Sequence, residues 1–373
     1  IADRLNETLA SSFSSNLDQG KKQNLESSSS DDFNQPETKQ KIPELPEAQQ
    51  IVLVDIFRNI EQYGTNIEII YPILQKHLSQ LSLEFAENLR HWATIALSQS
   101  TQSAHTLALS LVSLSYLMLY LPFGDKGTNI AISKAGYESS LTFFTREKFP
   151  EAYAELMINL GIAVEEDTLA DSVQKWEEAI AYYQTASQIF TREVNPEKWA
   201  FIQDNLGNAY RNRQQGEIEI NLQQAIAFYQ DALQIFYPER YPRQWGCVQH
   251  NLGHAYLNLS TLNIKESRED NEQFLETAID CYEKALQTLK KDIYPDLWAL
   301  IQLSSGNAYS RRLRGNPYHN YEKAQQYFEN DLLVYTPQTY PFYYQQVKDG
   351  EQKLQKLVQL WYESDSNIET KED

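Results

Sequence analysis

Cys247, His250 and His254 stand three and four positions apart in GCVQHNLGHAY, a spacing that puts one thiol and two imidazoles on one face of a helix. These donor types hold zinc, and a thiol beside an imidazole is also where nucleophilic catalysis starts. No further ligand stands nearby in the sequence, and one helix cannot surround a tetrahedral ion by itself. A metal site and a catalytic dyad are therefore not expected, and the three residues are assigned to a binding face. HExxH, GxSxG and a glycine-rich phosphate loop are absent from the sequence. GDKGTN, from Gly124, has two glycines but no strand pattern before it and reads as a turn. The sequence thus predicts a protein that is not an enzyme and needs no cofactor.

The elements that carry this trio recur. Pro150, Pro196, Pro242, Pro295 and Pro341 open segments of one grammar, at intervals of 46, 46, 53 and 46 residues. An aromatic residue follows each at the third place (Tyr153, Trp199, Trp245, Trp298, Tyr344), and a glycine follows the first four at the eleventh (Gly161, Gly207, Gly253, Gly306). Such a period predicts an all-α solenoid, in which each unit buries its apolar face against its neighbours. Every unit reads as two helices. In PEKWAFIQDNLGNAY, helix A, the proline is preorganised for the first turn, and Trp199, Ile202, Leu206, Ala209 and Tyr210 make a buried stripe. Helix B is NLQQAIAFYQDALQIF, with Leu222, Ala225, Ile226, Tyr229, Ala232 and Leu233 facing inward. Gly207 and the alanines allow close approach of the two backbones, and aromatic rings fill the space between turns. The excess in the third interval is expected in the polar stretch STLNIKESREDNEQF, ahead of a helix B.

Outside the repeats the composition shifts. Residues 1–45, rich in Ser, Gln, Asn and Asp, predict a disordered tail, and 363–373 a second one. Between them lie a helical N-terminal cap, 46–124, and the solenoid, 125–362, whose last unit has Gln352 in place of glycine and closes the stack. In the cap, AQQIVLVDIFRNIEQYG predicts a helix stopped at Gly64, and TNIEIIYPILQKHLSQLSLEFAENLRHWATIALSQ continues in helical register. LALSLVSLSYLMLYL, Leu107 to Leu121, is the one membrane candidate. It is shorter than the roughly 20 apolar residues a span requires and is stopped by Pro122, so a buried helix is expected.

A net charge of -19 disfavours a nucleic-acid or anionic-membrane partner, since phosphates attract Lys and Arg. Cys247 and Cys281 sit in helical patterns with no CxxC pair, and the N-terminus has no signal-peptide core, which together predict a cytoplasmic protein.

NLGNAY followed by AIAFYQDAL resembles the tetratricopeptide pattern, with Leu206, Gly207, Tyr210, Ala225, Tyr229 and Ala232 in its slots and a period of 46 rather than about 34 residues. The stretched form, PxxWAxxQxNLGxAYxxRxxG with AIxxYxxAL behind it, resembles the N-terminal array of cyanobacterial CHAT-type proteins, in which a caspase-like cysteine-peptidase domain follows the repeats. Tyr71 to Leu97 also resembles the helical lead-in of those proteins. The resemblance spans about residues 50–350 and implies a right-handed solenoid of extended tetratricopeptide-like helix pairs. It also implies a CHAT-type peptidase domain, or its substrate, as a partner. About thirty residues follow Pro341, too few for an α/β catalytic domain. The chain is expected to be either a shortened piece of a larger protein or a relative that kept the array alone.

In a tetratricopeptide stack the helices A line the concave side. Counting from each proline, the slots left over from packing hold Phe201, Cys247 and Leu300 (fifth), Asp204, His250 and Leu303 (eighth), Asn208, His254 and Asn307 (twelfth), and Arg211, Leu257 and Ser310 (fifteenth). Apolar anchors beside amides and imidazoles suit an extended peptide. Gln203, Gln249 and Gln302 are read as bridges between units, and Arg213, Arg311, Arg312 and Arg314 as internal partners of acids such as Glu217 and Glu219. The expected function is that of a non-catalytic scaffold or adaptor capturing a protein or peptide partner in this groove. The alternative is the sensor or regulatory half of a CHAT-type peptidase.

Overall fold

The computed structural model describes residues 42–99, 103–262 and 268–369. The expected tails lie outside the described residues up to residue 41 and from residue 370, whereas residues 363–369, expected in the second tail, continue the last helix. Among the described residues there are only helices and turns, in two compact units, 1–145 and 146–373.

The first unit contains α1 (Glu47–Tyr63), α2 (Ile67–Lys76), a 3-10 turn (Leu78–Gln80), α3 (Leu83–Ser98), α4 (Ala104–Leu119) and α5 (Lys126–Ser140). Helix α1 stops at Gly64, whose φ of 63° is costly for any residue with a Cβ. The long helical pattern that follows is divided. The chain leaves α2 after Lys76 and restarts at Leu83, where the Ser82 hydroxyl accepts a hydrogen bond from the Phe85 amide at 3.2 Å and caps the new helix. Helix α4, the apolar run, is buried along nearly its whole length. Among the described residues no helix is long and apolar enough to cross a membrane. GDKGTN is a turn only at Gly124: Lys126 to Asn129 already form the start of α5, which Asp125 caps by accepting from the Thr128 amide at 2.8 Å. Helix α5 packs on both α3 and α4, so it belongs to the first unit and the division falls after Thr145 rather than after Gly124.

The second unit runs α6 (Pro150–Glu166), α7 (Gln174–Ser187), α8 (Pro196–Asn212), α9 (Ile218–Leu233), α10 (Pro242–Thr261), α11 (Arg268–Thr288), α12 (Pro295–Tyr309), α13 (Pro317–Asp331) and α14 (Pro341–Glu369). Each helix A (α6, α8, α10, α12) starts on its proline. Each packs on its own helix B, and α8, α10 and α12 also pack on the helix B before them, which is a solenoid-like succession. The repeat glycine is required by contact. A Cβ on Gly253 would come within 2.6 Å of the Tyr282 ring, and one on Gly306 within 2.6 Å of Phe328. Tyr183, Tyr229, Tyr282 and Phe328 thus lie flat on a helix-A backbone and are completely buried. Alanines flank these rings on helix B, except that Asp331 stands where the earlier units have Ala186, Ala232 and Ala285. The expected insertion lengthens both of its helices: α10 has 20 residues and α11 has 21, against 17 and 16 in α8 and α9. Consecutive helices A also touch directly (α6 with α8, α8 with α10, α10 with α12), whereas consecutive helices B make no comparable contact among the described residues.

Candidate functional site

The twelve groove slots divide by burial. Phe201, Asn208, Arg211, His254, Leu300, Asn307 and Ser310 keep part of their surface, while Asp204, Cys247, His250, Leu257 and Leu303 are buried. The eighth slot is buried because it joins units. The ninth-slot Asn251 donates from Nδ2 to Asp204 Oδ1 of the preceding unit at 2.9 Å, and ninth-slot Ser304 pairs with His250 Nε2 at 2.9 Å. In the first such pair the eighth slot is Ile158, which offers no acceptor, and the buried Asn205 Nδ2 has no partner among the described residues. Asp204 and His250 therefore hold the stack together, where the sequence had assigned them to a partner. The signal that could have corrected this was the ninth slot itself, polar in Asn205, Asn251 and Ser304 at a place flanked by packing residues.

The twelfth slot meets the helix-B ring of its own unit. Asn208 Oδ1 accepts from the Tyr229 hydroxyl at 2.9 Å. One unit on, His254 turns instead towards His250, with the Nε2 atoms 3.1 Å apart, and towards Ser304 Oγ at 3.2 Å. The Tyr282 hydroxyl, equivalent to that of Tyr229, is buried with no partner among the described residues. In the next unit Phe328 has no hydroxyl, and the Asn307 amide makes no side-chain hydrogen bond among the described residues, leaving it free for another molecule.

Burial, helped by the nearby Arg211 cation, pulls His254 down to about 3; burial, then His254 and Arg211, holds His250 well below the usual imidazole range. Both rings are neutral at neutral pH. Glu165, one unit before Arg211 in the same slot, is pushed up to about 8, chiefly by burial. Burial pushes the Cys281 thiol up to about 12, which keeps it unreactive. Cys247 is likewise buried, and both cysteines are free of disulfides. Among the described residues no three His, Cys, Asp or Glu side chains converge as a metal cluster.

Of the four turn arginines, Arg213 and Arg312 pair internally, with other partners than expected, while among the described residues Arg314 contributes only its backbone amide, to Glu272 at 2.9 Å. Arg213 binds Glu177 of α7 through Nε at 2.6 Å and Nη2 at 2.9 Å, and Arg312 binds Glu276 of α11 at the same two distances. Asn221 and Asn320 tie down the turns behind them by donating to backbone carbonyls. Glu219 instead accepts from Gln223 on its own helix. Gln302 accepts from Asn330 within its own unit at 3.3 Å, so at that position the glutamine ladder does not bridge units. Set against known proteins, the chain matches no family model, and no curated protein matches it.

Proposed function

We propose that the second unit is a right-handed, extended tetratricopeptide-like solenoid that acts as a non-catalytic scaffold, holding a segment of a partner polypeptide along its helices A. The observation that carries this reading is that consecutive helices A touch one another directly, while contact between consecutive helices B is weaker. A stack whose members are closer on one side curves towards that side, so helices A line its inner face. That face offers apolar surface at Phe201 and Leu300 together with the unengaged amide of Asn307, the mixture an extended peptide requires. The two free, buried cysteines are in keeping with a reducing compartment.

The test is capture from the native lysate by the intact chain beside the triple variant Phe201→Ala, Leu300→Ala, Asn307→Ala, with helix content checked by circular dichroism. A protein retained by the first and released by the folded variant supports the reading. Equal retention by both overturns it.

A further inference from the structure

The metal reading of the sequence fails for want of a donor outside one helix, and the stacking of units supplies that donor. Ser304, from α12, reaches both imidazoles of α10. We propose that His250, His254 and Ser304 form a binding site for a divalent ion of the copper and zinc class.

The three atoms make a small triangle, with edges of 2.9 Å (His250 Nε2 to Ser304 Oγ), 3.1 Å (Nε2 to Nε2) and 3.2 Å (His254 Nε2 to Ser304 Oγ). Edges near this length are those of one face of a four-coordinate site with bonds of about 2.0–2.1 Å. A second observation points to the same place. Tyr282 is 0% exposed, its ring centroid lies 5.7 and 5.6 Å from the two imidazoles, and its hydroxyl has no partner among the described residues. In the preceding unit the equivalent hydroxyl, that of Tyr229, reaches the twelfth slot, the slot of His254. The Tyr282 hydroxyl is thus placed to bond a water in the fourth position.

The donors define the ion. Two neutral imidazoles suit copper and zinc, with the Ser304 hydroxyl as a weaker third donor, whereas magnesium and calcium take carboxylates and carbonyls. Without an ion, one imidazole carries its proton on Nε2 and the other accepts there, and Ser304 Oγ donates onward to the Leu300 carbonyl at 3.0 Å. Binding requires only that each imidazole carry its proton on Nδ1, so that both Nε2 lone pairs face the ion. Arg211 disfavours a cation here, so only ions that bond imidazole strongly are expected to bind. An ion so held would staple α10 to α12 across a unit boundary and raise the melting temperature by linkage.

The experiment is calorimetric titration of the tag-free full chain with copper(II), zinc and manganese(II) chlorides. The variants borrow residues that other units already hold in the same slots: His254→Asn (as Asn208), His250→Leu (as Leu303) and Tyr282→Phe (as Phe328), with folding confirmed by circular dichroism. One ion per chain is expected, with affinity falling from copper to zinc to manganese. Both histidine variants should lose it, and Tyr282→Phe should weaken it by about 10- to 100-fold. No stoichiometric uptake of copper or zinc overturns the proposal. So does unchanged uptake by the folded histidine variants, which would assign the ion to the other imidazoles, His77, His91, His105 and His319.

Discussion

Arg213 grips Glu177 of the preceding helix B with two hydrogen bonds, and the same clamp recurs between Arg312 and Glu276, each time at 2.6 and 2.9 Å. The middle unit, which carries the insertion, lacks both halves together: Leu259 and Gln223 stand in the equivalent places, and Leu259 is buried in the core. The clamp is bidentate and half-buried, so it should outperform an ordinary surface pair. A double-mutant cycle on Arg213→Ala and Glu177→Ala should give a coupling of about 1 kcal/mol, at the upper end for such pairs. Denaturant unfolding measures it, and a coupling near zero would reduce the clamp to a surface contact.

Gly253 lies under the Tyr282 ring with no room for a methyl group. Gly253→Ala should destabilise the chain by about 1–3 kcal/mol through overpacking. The double variant Gly253→Ala, Tyr282→Ala should not recover the loss, because deleting the fully buried ring itself costs about 3–5 kcal/mol. Thermal melts of the single and double variants check this.

Asp331 occupies an alanine slot, is 0% exposed, and neither carboxylate oxygen has a partner among the described residues. Burial pushes its carboxyl from 3.8 up to about 8. The folded state therefore holds a proton that the unfolded state has released, and stability falls as pH rises from about 4 to about 8. Asp331→Ala should already stabilise by about 1–3 kcal/mol below pH 4, where the protonated carboxyl is still an unmet buried polar group, and the gain should grow as pH rises to about 8. Melting curves across that range test the sign, and a variant whose gain does not grow with pH would refute it.

Asn205 and Asn251 are equivalent in sequence and unequal in structure, since only Asn251 finds an acceptor, in Asp204. Asn251→Leu should cost about 1–3 kcal/mol by leaving the buried Asp204 carboxylate short of a donor, while Asn205→Leu should be neutral or stabilising. Chemical denaturation of the two variants under one condition makes the comparison.

These contrasts mark what was legible in the sequence. Prolines, glycines and helix-B alanines located the helices A and the helices B at α9 and α11, because each answers a local demand: a fixed φ at a helix start, or room for a ring. The break between α2 and α3 was hidden because apolar spacing persists through the 3-10 turn. The roles of Asp204 and His250 were hidden for another reason. Which inward slot faces a neighbouring unit depends on how far consecutive helices A are offset, and no single helix encodes that. Ser304 could not be joined to His250 across 54 positions without that offset.

The most direct test of the scaffold reading is amide hydrogen exchange of the full chain, alone and with the protein it captures. The reading predicts slowed exchange along α8, α10 and α12, centred on Phe201, His254 and Asn307. Slowing confined to α9, α11 and α13, or none in the second unit, would contradict it.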